Sequence, residues 1–264
     1  MGRIVSVVLV LIIFIFGIGY LFTKKSGERD TIDVVLGSDV ENEADVSSRR
    51  ELPPIEPQIA DNYSLSGELP LLDESDEALA KHLRLIVTPI RLQLLSDEQL
   101  IRKFVLQIDN VANGEVVYAH SPFIEPVTGT EVKRVTVDDQ EDVLMIDPDS
   151  YKRYDAYADL AEAVDVSLLL AYYQFYEPLF EEAYAELGYE EADFRNTFIE
   201  AIDELLSAPV IENDIELVQP ELNYEFSDPA LESLNQTKKQ MIRMGPENTR
   251  RIQAVLQQFK ARIQ

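Results

Sequence analysis

SDEQLIRKFVLQIDNVANG, residues 96–114, is the stretch that decides the fold class of this chain. Its apolar residues recur at the spacing of one face of an α-helix: Leu100, Phe104, Ile108 and Val111. Ser96 and Gln99 form a capping-box pattern at the start, and Gly114 suits the left-handed position that ends a helix. The stretch therefore predicts an amphipathic helix with one face in a core.

Helical signals continue towards the C-terminus. Asp147-Pro148 is a cap followed by a first-turn proline, and it precedes tyrosines at helical spacing. A long apolar helix follows, VSLLLAYYQFYEPLFEEAYAELG, with a kink predicted at Pro178 and an end at Gly188. EADFRNTFIEAIDELLSAP predicts the next helix, and Asp228-Pro229 starts helices again.

Two short regions favour β-structure instead. EVKRVTV and DVLMI, separated by DDQE, predict a small hairpin or a β-rich insertion between Glu115 and Ile146. IELVQPELNYEF predicts a second pair of short strands. We therefore expect a mainly α fold with small β elements (α+β), in one compact domain that covers residues 71–264.

The N-terminus predicts a membrane anchor. After a short tail, residues 1–3, the segment 4–22 contains no charged residue and reaches about 28 Å as a helix, close to the thickness of a bilayer core. It is longer than the apolar region of a signal peptide, and no A-x-A site follows it. We therefore expect a single uncleaved span, with the lipid bilayer as its partner. The flanking charges are nearly balanced and do not decide the orientation.

Residues 23–70 predict a disordered tether between the anchor and the domain. This stretch is polar and acidic, contains the proline-spaced ELPPIEPQ, and shows no sustained helical or alternating period. A flexible chain of this length spans about 35–40 Å, enough to hold a compact domain clear of lipid.

Composition excludes several functions. The chain has 49 acidic and 23 basic residues, a net charge of −26, so most of its surface would repel nucleic acid and anionic lipid. It has no cysteine, which excludes a disulfide, a thiolate nucleophile and a zinc–thiolate site.

One dense basic run stands against this acidity, KKQMIRMGPENTRR at 238–251. Gly245 and Pro246 predict a corner, with one helix ending at the glycine and the next beginning at the proline. Residues 238–264 carry seven basic residues and one acidic residue, about +6, which leaves about −32 elsewhere (16 basic, 48 acidic). Such asymmetry has two interpretations, neutralisation inside the fold or an exposed patch for an anionic partner. The candidate patch comprises Lys238, Lys239, Arg243, Arg250 and Arg251.

The residues show no motif for catalysis, a metal or a cofactor, and none of these is predicted. His82 and His120 lie outside any HExxH or GxSxG pattern, and we interpret them as surface or hydrogen-bonded histidines. The acidic cluster at 138–142 lacks the register of a calcium loop and predicts a solvated turn. Arg153 and Asp155 favour structural ion pairs over a polar site. Two tyrosine sets favour core packing, although they could stack on a sugar or clamp a peptide: Tyr151, Tyr154, Tyr157 and Tyr172, Tyr173, Tyr176.

An ordered set of motifs resembles the domain of unknown function 3014 family. The motifs are LPLLDESD, IRKFV with IDNVANG, YKRYDAY, EEAYAELGY, AIDELLSAP, YEFSDPALESL and KQMIRMGPEN. The resemblance implies a single-pass protein of the bacterial inner membrane whose C-terminal domain is periplasmic. It brings no activity, substrate or catalytic residue.

Two functions follow as hypotheses. The first is a non-catalytic interaction or accessory module, tethered to the membrane and bound to another envelope protein. The alternative is a carboxylate-dependent envelope enzyme that acts on cell-wall glycan. That enzyme needs two acidic groups facing each other across a cleft, about 5–10 Å apart. No oligomeric state is predicted.

Overall fold

The computed structural model describes residues 67–84, 98–117, 130–137, 141–163, 165–189, 193–220 and 223–263. The predicted anchor 4–22, most of the predicted tether 23–70, Ser96 and His120 lie outside these ranges. Among the helices within them, none has the length and apolar character that crossing a bilayer requires.

The described residues form a mainly helical α+β fold. Eight α-helices are present: α1 Ser75–Arg84, α2 Leu100–Ala112, α3 Asp155–Glu162, α4 Val166–Ala185, α5 Phe194–Leu206, α6 Pro229–Glu232, α7 Gln236–Arg243 and α8 Pro246–Ile263. Two 3₁₀ helices cover Leu72–Glu74 and Pro148–Tyr154. Four strands, β1 Val132–Val137, β2 Glu141–Ile146, β3 Glu216–Val218 and β4 Glu225–Phe226, form one antiparallel sheet in the order β1-β2-β3-β4. The predicted fold class is confirmed at this level.

Helices α2, α4, α5 and α8 surround the larger of two apolar cores. At its centre the ring of Phe104 makes edge-to-face contacts with Phe180, Phe194 and Phe198, with centroids 5.1 to 5.7 Å apart. This offset geometry adds to the stabilisation that burial of the rings already provides. We call this region the helical core.

The smaller core, the sheet core, lies on one face of the sheet. In the antiparallel register Val132 lies opposite Ile146, and Leu217 lies opposite both Leu144 and Phe226, so these apolar side chains share a face. Ile242 of α7 packs onto that face. The preceding residue, Met241, belongs to the helical core. Because successive side chains on a helix point about 100° apart, the single turn at 241–242 joins the two cores.

Helix α2 begins differently from the capping-box prediction. Gln99 is not inside the helix but precedes it, in the left-handed conformation with φ 53°, and α2 starts at Leu100. The carboxylate of Asp76, on α1, accepts hydrogen bonds from the backbone N–H groups of Gln99 (2.6 Å) and Leu100 (2.9 Å). A cap from another helix thus supplies the acceptors expected from Ser96. The predicted left-handed Gly114 after the helix is confirmed, with φ +75°.

The tyrosine-bearing segment also departs from a single α-helix. Asp147 caps it as predicted, accepting from the N–H of Asp149 at 3.0 Å. The residues that follow form the 3₁₀ helix Pro148–Tyr154 before α3 begins. Tyrosines three residues apart lie above one another when a helix has three residues per turn, which suits the packing of Tyr151 and Tyr154. Farther along, α4 is one helix that includes Pro178, and the kink expected at that residue stays a prediction.

Candidate ligand-binding cleft

A cleft of about 360 Å³ lies at the corner between α7 and α8. Three segments form its walls: residues 148–155, which comprise the 3₁₀ helix and the first residue of α3, the loop 211–214 and the corner 244–248. Met244 belongs to the helical core, whereas Tyr151 and Ile211 pack against the sheet core. The cleft therefore opens where the two cores meet.

Gly245 allows the Tyr151 ring to close against the corner. The glycine has φ +84°, and a Cβ built there would lie 2.5 Å from Cγ of Tyr151. Any other residue would be strained by the left-handed backbone and would also displace the ring. The predicted left-handed glycine is confirmed, and it has a second role in bringing an aromatic wall close to the backbone.

Asn248 connects the corner to the segment that carries Tyr151. It is 3% exposed, and its Nδ2 donates to the carbonyl oxygens of Tyr151 (3.2 Å) and Met244 (3.2 Å) and to Oδ1 of Asp155 (3.0 Å). Arg251 Nη1 lies 3.4 Å from Asn248 Oδ1. A buried polar side chain with these partners holds the Asp155 carboxylate at a fixed place in the wall.

The loop 211–214 is held by two cations from outside the cleft. Glu212 pairs with Arg250 of α8, and Asp214 Oδ2 lies 3.4 Å from Lys133 Nζ of β1. These pairs are largely exposed and each contributes less than about 1 kcal/mol, so they orient the loop more than they stabilise the fold.

The cleft wall is anionic. Four carboxylates line it against one ammonium: Asp155, Glu212, Asp214, Glu247 and Lys152. The ammonium of Lys152 pairs with Asp149 at 2.8 Å. Burial raises the pKa of the Tyr151 phenol, and the negative charge of Asp214 raises this pKa further, partly offset by Arg153. The negative charge of Asp214 therefore acts on the aromatic wall.

The five residues of the candidate basic patch are placed beside different neighbours. Lys238 Nζ lies 3.3 Å from Glu204 of α5, and Lys239 Nζ lies 2.5 Å from Glu232 of α6. Arg251 Nη2 contacts Asp159 at 2.6 Å and Glu162 at 2.7 Å, both on α3.

The other two members also contact the fold. Arg250 pairs with Glu212, and the guanidinium of Arg243 lies 5.2 Å from the centre of the Phe226 ring. None of the five lines the cleft, but Arg250 and Arg251 contact residues that do. These contacts match the internal-neutralisation interpretation, and a partner-binding role for the five stays a prediction.

The tyrosine sets divide between core and cleft. Tyr154, Tyr157, Tyr172, Tyr173 and Tyr176 are buried in the helical core, as predicted. Tyr151 is the exception, because its ring is only partly buried and lines the cleft. Sequence spacing gave Tyr151, Tyr154 and Tyr157 the same pattern, and only the walls opposite them distinguish their roles.

The other two candidate side chains, His82 and Arg153, make contacts within the fold. His82 Nδ1 lies 2.7 Å from the Tyr176 hydroxyl, which confirms a hydrogen-bonded histidine, and its pKa is lowered by burial and then by Lys81. Arg153 donates to the hydroxyls of Ser150 (2.5 Å) and Thr130 (3.0 Å).

Metal ligands do not gather in the described part of the chain, where no group of three His, Asp or Glu could hold an ion. Residues 138–140 lie outside it, and the side chains of Glu141 and Asp142 are not described, so the acidic 138–142 cluster is untested.

Sequence reasoning missed the loop 211–214 as a cleft wall. Its acidic residues, Glu212 and Asp214, lie far along the chain from both Tyr151 and Gly245. No local pattern signals the contact, because chain folding alone brings the loop to the corner.

Comparison with protein families gives one finding. A family model described as "Protein of unknown function (DUF3014)" matches residues 100–260, a span that includes every residue lining the cleft. No curated protein and no solved structure matches the chain.

Proposed function

Since the chain belongs to the DUF3014 family, whose description assigns no activity, we propose a function from the geometry: a non-catalytic interaction module that docks a partner in the corner cleft. The single observation that carries the proposal is the cleft itself. Its volume of about 360 Å³ lies within the range of about 300–1,000 Å³ that is typical of ligand sites.

The cleft is also preformed. Tyr151 packs closely against Gly245, Asp155 accepts a hydrogen bond from Asn248, and Glu212 pairs with Arg250, so its walls need little ordering when a partner binds. Preorganisation of this kind lowers the entropic cost of association.

The enzyme alternative keeps one supporting observation, the four carboxylates in the cleft wall. A glycan hydrolase needs two of them on opposite sides of a bound sugar, one acting as a general acid. Three of the four are instead held by structural partners, namely Asn248, Arg250 and Lys133. These contacts favour binding over acid–base chemistry.

For the location, the proposal keeps the arrangement expected from the N-terminus: a bilayer span at 4–22, a tether at 23–70 and a periplasmic domain of an inner-membrane protein. The uncharged run 4–22 supports the span, and the family resemblance supports the orientation. Alkaline phosphatase fused to the C-terminus should be active in a bacterial host. An inactive phosphatase together with an active cytoplasmic reporter at the same site would reverse the orientation.

Crosslinking in living cells tests the docking function. The photo-crosslinking residue benzoylphenylalanine is placed in the full chain at Asn213, exposed in the cleft wall, or at Ala185, exposed on α4. We expect one discrete partner at Asn213, absent at Ala185, and lost when Pro148→Trp places a bulky side chain at the cleft rim. A partner captured equally at both positions, or captured despite the blocked rim, contradicts docking in the cleft.

A hydrolysis assay separates binding from catalysis. The full chain and its variant Asp155→Asn with Glu247→Gln are each incubated with purified peptidoglycan, and the release of reducing ends is measured. Release that is lost in Asp155→Asn with Glu247→Gln supports the enzyme alternative. We expect no release by either protein.

A further inference from the structure

Resting on the proposed docking function, we infer that the corner cleft takes a positively charged side chain, arginine or lysine, from a basic peptide segment of the partner. The cleft and its aromatic wall define the site, and the carboxylates set the sign of the charge that it accepts.

The aromatic wall is suited to a cation. A guanidinium or ammonium group within about 6 Å of an aromatic ring is attracted by the negative face of the ring. Among the residues that the structure describes, Arg153 makes such a contact 4.5 Å from the Tyr154 ring centre, and Arg243 makes one 5.2 Å from the Phe226 ring centre. Tyr151 presents the same kind of ring to the cleft, packed closely against Gly245.

Two of the carboxylates that line the cleft with this ring come from different segments of its wall. Asp155 begins α3 and accepts a hydrogen bond from Asn248, and Glu247 lies in the first turn of α8. A planar guanidinium can donate to carboxylates in its own plane while its face rests on an aromatic ring.

An apolar part of the wall accommodates the rest of such a side chain. Ile211 lines the cleft and is partly exposed, so the methylene stem of an arginine or lysine can cover its apolar surface. Anionic ligands are disfavoured, because among the described residues cations pair with only two of the four carboxylates, Glu212 and Asp214. Asp155 accepts from the neutral Asn248, and Glu247 adds a further negative charge to the wall. The whole chain also carries a net charge of −26.

A pair of isosteric ligands tests the inference. N-acetyl-L-arginine amide and N-acetyl-L-citrulline amide have nearly the same shape, but only the first is charged. Saturation-transfer NMR on the full chain in detergent micelles observes the ligand and gives a dissociation constant for each. We expect arginine to bind about tenfold more tightly than citrulline, the factor that a charge-assisted hydrogen bond adds over a neutral one.

Matched variants assign the effect to the cleft. Asp155→Asn with Glu247→Gln should reduce the affinity for arginine to that for citrulline, and the asparagine can still accept from Asn248. Glu182→Gln, at an exposed position on α4, should change nothing. Equal binding of the two ligands, no binding of either at 20 mM, or an effect of Glu182→Gln equal to that of the double variant would overturn the cationic specificity. A partner still crosslinked at Asn213 in that event would leave the docking function standing, so the two failures are distinguishable.

Discussion

Neighbouring tyrosines of one segment have opposite surroundings in the helical core and in the corner cleft. Tyr154 and Tyr157 are closed over by apolar side chains, whereas Tyr151 faces open space between carboxylates. The three residues have the same spacing and lie in one continuous stretch of 3₁₀ and α-helix. The residues that lie opposite a side chain, and not its spacing in the sequence, therefore decide whether it stabilises the fold or is available for binding.

The two regions also differ in the interactions that stabilise them. The helical core depends on apolar burial, which is large and insensitive to salt. The corner depends on a left-handed glycine, one buried asparagine and several ion pairs with exposed partners. Each of these contacts contributes less free energy than apolar burial in the helical core, and the ionic contacts weaken as salt screens them. Substitutions in the two regions should therefore differ in size and in salt dependence.

The largest effect is expected in the helical core. Phe104→Ala removes a ring that contacts three other rings and should lower the free energy of unfolding by about 3–5 kcal/mol, measured by chemical denaturation of the full chain. The control Leu187→Ala, at an exposed position, should change it by less than about 0.5 kcal/mol. A loss below about 1 kcal/mol for Phe104→Ala would contradict the central place of this ring in the core.

Next in size is the corner glycine. Gly245→Ala should cost about 1–2 kcal/mol for the left-handed backbone and about 1–3 kcal/mol more for the clash with Tyr151. Gly188→Ala is the matched control, since Gly188 also has positive φ but has no atom within 4 Å of the added Cβ. It should show the backbone cost alone. In a Tyr151→Ala background the difference between the two glycine variants should shrink without vanishing, because Cβ of residue 151 stays 2.9 Å from the added Cβ. An undiminished difference would mean that the ring does not press on the corner.

Sequence patterns predicted these two regions unequally. Asp147 and Asp228 were expected to begin helices, and each accepts a hydrogen bond from a backbone N–H in the first turn. The Gly245–Pro246 corner and the two strand pairs were also predicted correctly, because turn and cap chemistry acts over a few residues. Short-range signals were sufficient for the elements themselves.

Long-range contacts account for what sequence reasoning did not find. The start of α2 depends on Asp76 from another helix, so the local Ser96–Gln99 pattern was misleading. The cleft depends on the approach of the loop 211–214 to Tyr151, and on pairs such as Arg250 with Glu212 that no spacing rule predicts. The basic run was visible in the sequence, but its partners lie on several different elements.

A smaller effect is expected from the basic run. Changing Lys239, Arg250 and Arg251 together to glutamate places like charges beside Glu232, Glu212 and Asp159. We expect the free energy of unfolding to fall by about 1–3 kcal/mol, more at low salt than at high salt. Lys152→Glu is the control, because Lys152 and Asp149 are both 71% exposed and the change should be below about 0.5 kcal/mol. Unchanged stability with loss of a crosslinked partner would make the basic run itself the binding surface.

The smallest effect concerns the contribution of Glu232 to the pH dependence of stability. Burial alone would raise the pKa of this carboxyl, but hydrogen bonds from Lys239 and from the backbone N–H of Phe226 outweigh it and lower the pKa below its ordinary value of 4.5. A lowered folded-state pKa stabilises the protein above the unfolded-state pKa, and this contribution is lost as the pH falls through the folded-state pKa.

The variant Glu232→Gln measures that contribution. We expect wild type to be more stable than Glu232→Gln by less than about 1 kcal/mol at pH 7, with the advantage shrinking once the pH falls below about 4.5. Glu225→Gln, at an exposed position in β4, controls for the general loss of a carboxylate. An advantage that grows as the pH falls would contradict the sign of the shift.

The most direct test of the central claim, that the corner cleft is a site for cations, uses the absence of cysteine from the chain. A single cysteine is introduced by Asn213→Cys in the cleft or by Ala185→Cys on the exposed surface of α4, near Glu182 and Glu186. The rate of modification of each thiol is measured with a cationic and an anionic methanethiosulfonate reagent. We predict a larger cationic-to-anionic rate ratio at position 213 than at position 185, falling with added salt. Equal ratios at the two positions, or a preference for the anionic reagent at 213, would contradict the account.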